Sequence, residues 1–180
     1  MTRAVLVEID AADAVVAPAL IDALQAHLAS LAELISTLDQ AAYQATPGKT
    51  TGSVGEHVRH CLDHARALLS SAEADTLTYD SRLRGSDVER SPLAAIGEID
   101  RVSRQLPRLD AFALERPISL VAMTHRDLPQ ATMETTLGRE VAFVIQHTIH
   151  HCALVAMQLD RLGIEVPARF GYAPSTPGRH

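Results

Sequence analysis

Apolar residues recur along this chain at spacings of three and four, and four stretches keep that rhythm long enough to predict helices. The first begins around Pro18, a residue suited to a first helical turn, and runs to about Tyr43. Leu20, Leu24, Leu28, Leu31, Ile35 and Leu38 form its apolar stripe, and Thr46-Pro-Gly-Lys49 breaks it. The second opens at Ser53-Val-Gly-Glu56, where the Ser53 hydroxyl can accept from the backbone N–H three residues on while Glu56 reaches back. That reciprocal pair is a capping box, and the helix it starts continues through Leu69 to about Glu73.

Residues 76–90 keep no sustained period and read as a long loop. Ser91 and Pro92 supply the N-cap and first position of a third helix, which ends near Leu106 because Pro107 cannot continue it. Residues 117–124 and 131–135, either side of His125-Arg-Asp-Leu-Pro129, predict a short hairpin or an extended crossover. The fourth helix spans about Leu137 to Leu162, with Gly163 as its stop. Residues 1–16 read as an N-terminal extension and 166–180 as an irregular tail of a single domain over 1–180. Four long helices with one long connection predict an all-α four-helix bundle, a fold whose metal sites are built from inward side chains of facing helices.

Composition agrees with helices. Aromatic residues are 3% of the chain and Trp is absent, so the core is aliphatic and rich in Ala and Leu, which disfavours a sandwich or barrel. The formal charge of -6 and the lack of any basic run leave no footprint for nucleic acid. The first ten residues carry one basic residue, and Glu8 ends their apolar run too early for a signal peptide. No apolar stretch approaches the ~20 residues of a membrane span, so a cytoplasmic protein without a membrane partner is expected. Cys61 and Cys152 both fall inside predicted amphipathic helices and are expected as reduced core thiols.

The candidate chemistry lies in two histidine clusters, His57-x-x-His60-x-x-x-His64 and His147-x-x-His150-His151. Chance would put about 0.65 of the nine histidines in these thirteen positions, whereas six are there. At 100° per residue, His57, His60 and His64 lie within about 60° of one another on one helix. His147 and His151 are one turn apart on another, on a stripe shared with Val144 and Leu154 that argues they point inward. Inward imidazoles without a metal would repel one another on protonation and leave ring nitrogens unsatisfied. A pair at i and i+4 with a third ligand from a facing helix makes a three-histidine face with a position left open for water or substrate.

Ser53-Val-Gly-Glu-His-Val-Arg-His-Cys-Leu-Asp-His64 and His147-Thr-Ile-His-His151, in this helix order, resemble the DinB/YfiT-like metal-binding four-helix bundles. The resemblance implies an up-down-down-up bundle whose metal ligands are His60, followed by Asp63, then His147 and His151. Two features depart from the family pattern: His57 and His64 crowd the second helix and could replace His60, and Cys152 stands where many relatives carry an Arg. His57 and His150 become candidates for shaping the pocket, and Asp63 for orienting a ligand imidazole. Gln158 and Phe170-Gly-Tyr172 read as packing residues. Tyr79-Asp-Ser-Arg-Leu-Arg84 and Glu89 read as a solvated charged loop, with the pocket rim as the alternative.

What the resemblance implies about function is a metal-dependent transferase joining a low-molecular-weight thiol to an electrophile, or an isomerase using such a thiol. The metal would lower the thiol pKa so that thiolate attacks at neutral pH. Hydrolysis by acidified water is a second option. A non-catalytic metal-binding or stress-associated helical protein, as a homodimer through bundle faces, is the alternative from another class. Three imidazoles suit zinc or nickel, and also iron or copper. A cavity of a few hundred Å³ at the metal would favour an enzyme with a small-molecule substrate.

Overall fold

A computed structural model describes residues 13–46, 52–82, 84–109 and 114–177, with side chains from residue 19 onward. The N-terminal extension up to residue 12 and the expected helix break over 47–49 lie outside the described residues. Four long helices form the bundle: α1 (Asp13–Ser36), α3 (Val54–Ser71), α5 (Pro92–Gln105) and α6 (Leu137–Arg161), with α2 (Gln40–Gln44) and α4 (Asp87–Arg90) as single turns between them. α1 and α3 each pack against both α5 and α6. Leu24, Leu28, Leu31 and Ile35 of α1 close the core against Val58, Leu62 and Leu68 of α3, Ile99 and Val102 of α5, and Val141, Val144 and Leu159 of α6, all buried.

The first expected helix is two. α1 starts before Pro18 and ends at Ser36, and Asp39, in an extended conformation, caps α2 by accepting from the Ala42 N–H at 2.7 Å. Leu38 is still buried across the break, so the apolar stripe continues where the helix does not. Ala19–Ser36 also meets the length and apolarity of a membrane span, contrary to the sequence reading. Its leucines are consumed by contacts with α5 and α6, as in the core helix of a bundle. The capping box forms as expected: the Ser53 hydroxyl accepts from the Glu56 N–H at 3.1 Å, and Glu56 accepts from the Ser53 N–H at 2.7 Å.

The expected hairpin is present as β2 (Pro117–Ala122) and β3 (Ala131–Thr136), antiparallel from Pro117↔Thr136 to Ala122↔Ala131. A third strand, β1 (Thr76–Leu77), pairs in parallel with Ser119 and Leu120 of β2, inside the segment expected to be loop. Two residues are too few to show a period, and their partner lies far along the chain. β3 feeds directly into α6, whose N-cap Thr136 accepts from the Arg139 N–H at 3.2 Å.

This small sheet and α4 hold residues 78–82 and 84–90 over the α3–α6 face. Asp80 accepts from the Met123 N–H at 2.8 Å at the end of β2. At the other end the Tyr43 hydroxyl donates to the Val88 carbonyl at 2.8 Å. A Cβ at Gly55 would overlap the Glu89 carbonyl, so only glycine lets α3 approach α4 this closely.

Candidate metal centre

α3 and α6 carry the histidines into one cluster because His57, His60 and His64 sit beside the buried Val58, Cys61 and Leu62 stripe, while His147 and His151 flank Val144, Thr148 and Cys152. The ring centroids of His60 and His147 are 5.0 Å apart, those of His60 and His151 4.7 Å, and those of His147 and His151 4.5 Å. His64 joins them from the other side, 4.5 Å from His60 and 4.1 Å from His147. One ring nitrogen from each of His60, His64 and His147 lies within 4.8 Å of the others, a group able to hold a metal ion. His150 is exposed, and its ring is 5.4 Å from that of His151.

Hydrogen bonds assign the free lone pairs. The His60 carbonyl can only accept, so His64 Nδ1, 3.0 Å away, carries the proton and Nε2 offers the lone pair. His57 Nδ1 and His151 Nδ1 are 2.9 Å apart, so one donates and the other accepts. With His151 as donor, its Nε2 is left as a ligand atom, the arrangement in which an outer partner fixes a metal-binding tautomer. His60 Nδ1 and His147 Nε2 are buried with no hydrogen-bond partner among the described residues. An unsatisfied buried polar group costs about 1–3 kcal/mol, and a divalent ion accepting those lone pairs would remove the penalty.

Electrostatics favours neutral, ligand-ready rings. Burial, followed by repulsion from neighbouring imidazoles, holds His151 down to about 2, His60 to about 3 and His147 to about 4. Burial also lowers His57 and His64. Cys61 and Cys152 are free and buried, and burial raises both thiols, Cys152 to about 12, so neither supplies a thiolate to this site near neutral pH.

Two expectations about neighbours change. Among the described residues Asp63 orients no imidazole: its carboxylate accepts from Arg59 at 2.9 Å and Arg66 at 3.1 Å. The 79–84 segment and Glu89 do rim the site, with a cavity of about 430 Å³ lined by Arg82, Arg84 and Glu89 together with His57, His60 and His151. Tyr79 stacks on His64 at 4.6 Å, and its hydroxyl donates to Glu140 at 3.0 Å. Glu140 is fully buried and also accepts from Thr135 and Arg139, each at 2.8 Å. Phe143 completes the backing at 5.6 Å from His147. Glu140 and Phe143 were missed, although they precede His147 at helical spacing and share its stripe. Gln158 and Phe170 pack as expected, Gln158 by donating to the Ala45 carbonyl at 2.7 Å, while Tyr172 is exposed.

The sequence pattern of the DinB superfamily matches residues 23–155, which contains α3 and α5 whole, most of α1 and α6, and both histidine clusters. The chain belongs to the DinB superfamily. A solved DinB-like protein, YjoA from Bacillus subtilis, superposes with a TM-score of 0.63 over 84% of this chain and 98% of its own. At 18% identity that likeness establishes the DinB-like fold. A protein named FK506-binding protein 5 from Rhizopus delemar is 30% identical over 116 residues, which is 64% of this chain but only 30% of that protein.

Proposed function

We propose that this DinB-superfamily protein is a metal-dependent enzyme for a small molecule, with zinc or nickel held by His60, His147 and His151. The observation that carries this reading is the cavity of about 430 Å³ that opens onto His57, His60 and His151 beside imidazoles left neutral by burial. Orphaned nitrogens on His60 and His147 support their place in the ligand set. The third ligand rests on ring orientation. The planes of His60, His147 and His151 meet at 62° to 81°, which lets three in-plane lone pairs converge. His64, whose ring nitrogen lies within 4.8 Å of those of His60 and His147, is the competing third ligand, and its ring is engaged by the stack on Tyr79 at 11°.

The reaction class we infer is transfer of a low-molecular-weight thiol to an electrophile. A divalent ion at this site would supply the Lewis acidity that turns a thiol into its thiolate near neutral pH. His57 holds the His151 ring, Tyr79 backs His64, and the cavity admits the second reactant.

Elemental analysis of purified His60→Ala, His147→Ala, His151→Ala and His64→Ala variants tests the ligand set. The first three should lose the metal and His64→Ala should keep it. A metal-free His64→Ala beside a loaded His151→Ala would move the site to His60, His64 and His147. A panel of thiols against chlorodinitrobenzene tests the chemistry: metal-dependent turnover with one of them is expected, and none with any would remove the transferase reading.

A further inference from the structure

Arg82 and Arg84 are exposed on the rim of the histidine cavity. Among the described residues neither is in an ion pair, whereas Arg59, which lines the same cavity, faces Asp63 at 2.9 Å and Glu89 at 2.7 Å. The two carboxylates that line this cavity have other partners. Glu56 accepts from the Ser53 N–H, and Glu89 accepts from the Gly85 N–H at 2.8 Å besides facing Arg59. A chain with a net charge of -6 therefore presents two arginines outside any ion pair of the described residues at the mouth of its histidine site.

The same two arginines also line a second cavity, of about 650 Å³, where Asp80, Thr124, His125 and Arg126 join them, the Asp80 carboxylate accepting from the Met123 N–H. The metal-site cavity and this neighbour thus meet across a pair of guanidiniums. The segment that carries them is tied at both ends. Gly85 turns with φ of 70°, its N–H held by Glu89 and its carbonyl by Arg90 at 2.6 Å, and Asp80 is held by the Met123 N–H. The Arg82 charge is near enough to oppose protonation of His60, His64 and His147.

We propose that the cavity takes an anionic small molecule, whose carboxylate or phosphate group is held by Arg82 and Arg84 while the rest of it lies over His57, His60 and His151. Guanidinium groups suit either anion through paired N–H donors. The proposal rests on the reading of the histidines as a substrate-facing metal centre.

Titrating succinate, inorganic phosphate and the uncharged succinamide into the full chain at low ionic strength, followed by backbone amide NMR shifts, tests it. Wild type should bind at least one anion, with shifts centred on residues 82–85, and should not bind succinamide. The tighter of the two anions names the source, a carboxylic acid or a phosphate ester. Arg82→Gln/Arg84→Gln should weaken that binding about tenfold, and Arg161→Gln, at the far end of α6, should leave it unchanged. Wild type that binds neither anion, or a double variant that binds as wild type does, overturns the proposal. Zinc content measured on the same samples separates the two readings. A chain that holds zinc but no anion loses the anion site alone, and one that binds the anion without zinc loses the metal centre alone.

Discussion

α3 buries two sets of polar side chains, and they are opposites. On one set, Arg59 and Arg66 share Asp63 and reach out to Glu89 and Glu98, so every charge has a counter-charge within 3.1 Å, although the Arg59 Nε–H is not aligned for a hydrogen bond to Glu89. On the other, His60 Nδ1 has no hydrogen-bond partner among the described residues, and across the interface neither does His147 Nε2. Both sets are costly to bury. The first is met by the protein's own charged side chains and so reads as structure, whereas the second has no partner among the described residues and so reads as a candidate site. Partner satisfaction, more than residue type or burial, separates scaffold from site here.

The contrast breaks most visibly if Asp63 is removed. Asp63→Ala leaves two guanidiniums short of a partner, one of them nearly buried, and should cost about 3 kcal/mol in urea unfolding, the low end for a broken buried pair because Glu89 and Glu98 remain. Its zinc content should not change, since its carboxylate bonds only to Arg59 and Arg66 among the described residues. Zinc loss from a folded Asp63→Ala protein would merge the two sets. The next effect runs the other way. Zinc at about a hundredfold over its dissociation constant should stabilise wild type by about 2.7 kcal/mol, which is about 5–10 °C in melting temperature, and should not stabilise His60→Ala. In the metal-free chain His60→Ala should cost little, because the orphaned nitrogen leaves with the ring.

Which of these sets could be read in advance follows from the range of the interactions. The helix stripe, the Ser53 capping box and the inward turn of His147 and His151 depend on residues within one or two turns, and all are legible. Helical spacing placed His60, His64, His147 and His151 on facing surfaces but carries no information on ring planes, so it could not rank His64, whose ring nitrogen groups with those of His60 and His147, against His151. Asp63 illustrates the same limit. Its spacing from His60 fits a ligand-orienting acid, yet Arg59 and Arg66 on its own helix compete for it and win. β1 and the contact of Tyr79 with Glu140 join residues far apart in sequence, and the break at Asp39 hides behind a Leu38 that keeps the stripe.

Acid should separate the sets again, with a smaller effect. In the unfolded chain the imidazoles protonate near 6.5, whereas in the metal-free fold burial delays His147 to about 4, His60 to about 3 and His151 to about 2. Below 6.5 the unfolded state therefore binds more protons, and the stability present above that pH is lost progressively as pH falls toward 4 and below. Thermal melts of metal-free protein from pH 7.5 to about 4.5 should show the decline, and a variant with His60, His147 and His151 all replaced by Ala should show less of it. Equal slopes would mean that the cluster is not the acid-labile element.

The smallest test addresses the place where the two sets meet. Tyr79 touches the histidines through its ring and the buried Glu140 through its hydroxyl, so a change in one atom divides its roles. Tyr79→Phe keeps the stack on His64 and leaves Glu140 with Thr135 and Arg139, at a cost of about 1–2 kcal/mol for one bond to a charged group. Zinc content and affinity should stay at wild-type values, because no ring nitrogen loses a contact. Tyr79→Ala removes the stack as well and frees His64 to turn toward His60 and His147. If zinc affinity then changes by the same factor in both variants, the hydroxyl–Glu140 bond governs the site and the division between a satisfied scaffold and an unsatisfied centre fails at this residue. If it changes only in Tyr79→Ala, the ring alone holds His64 aside, as its near-parallel stack on Tyr79 implies.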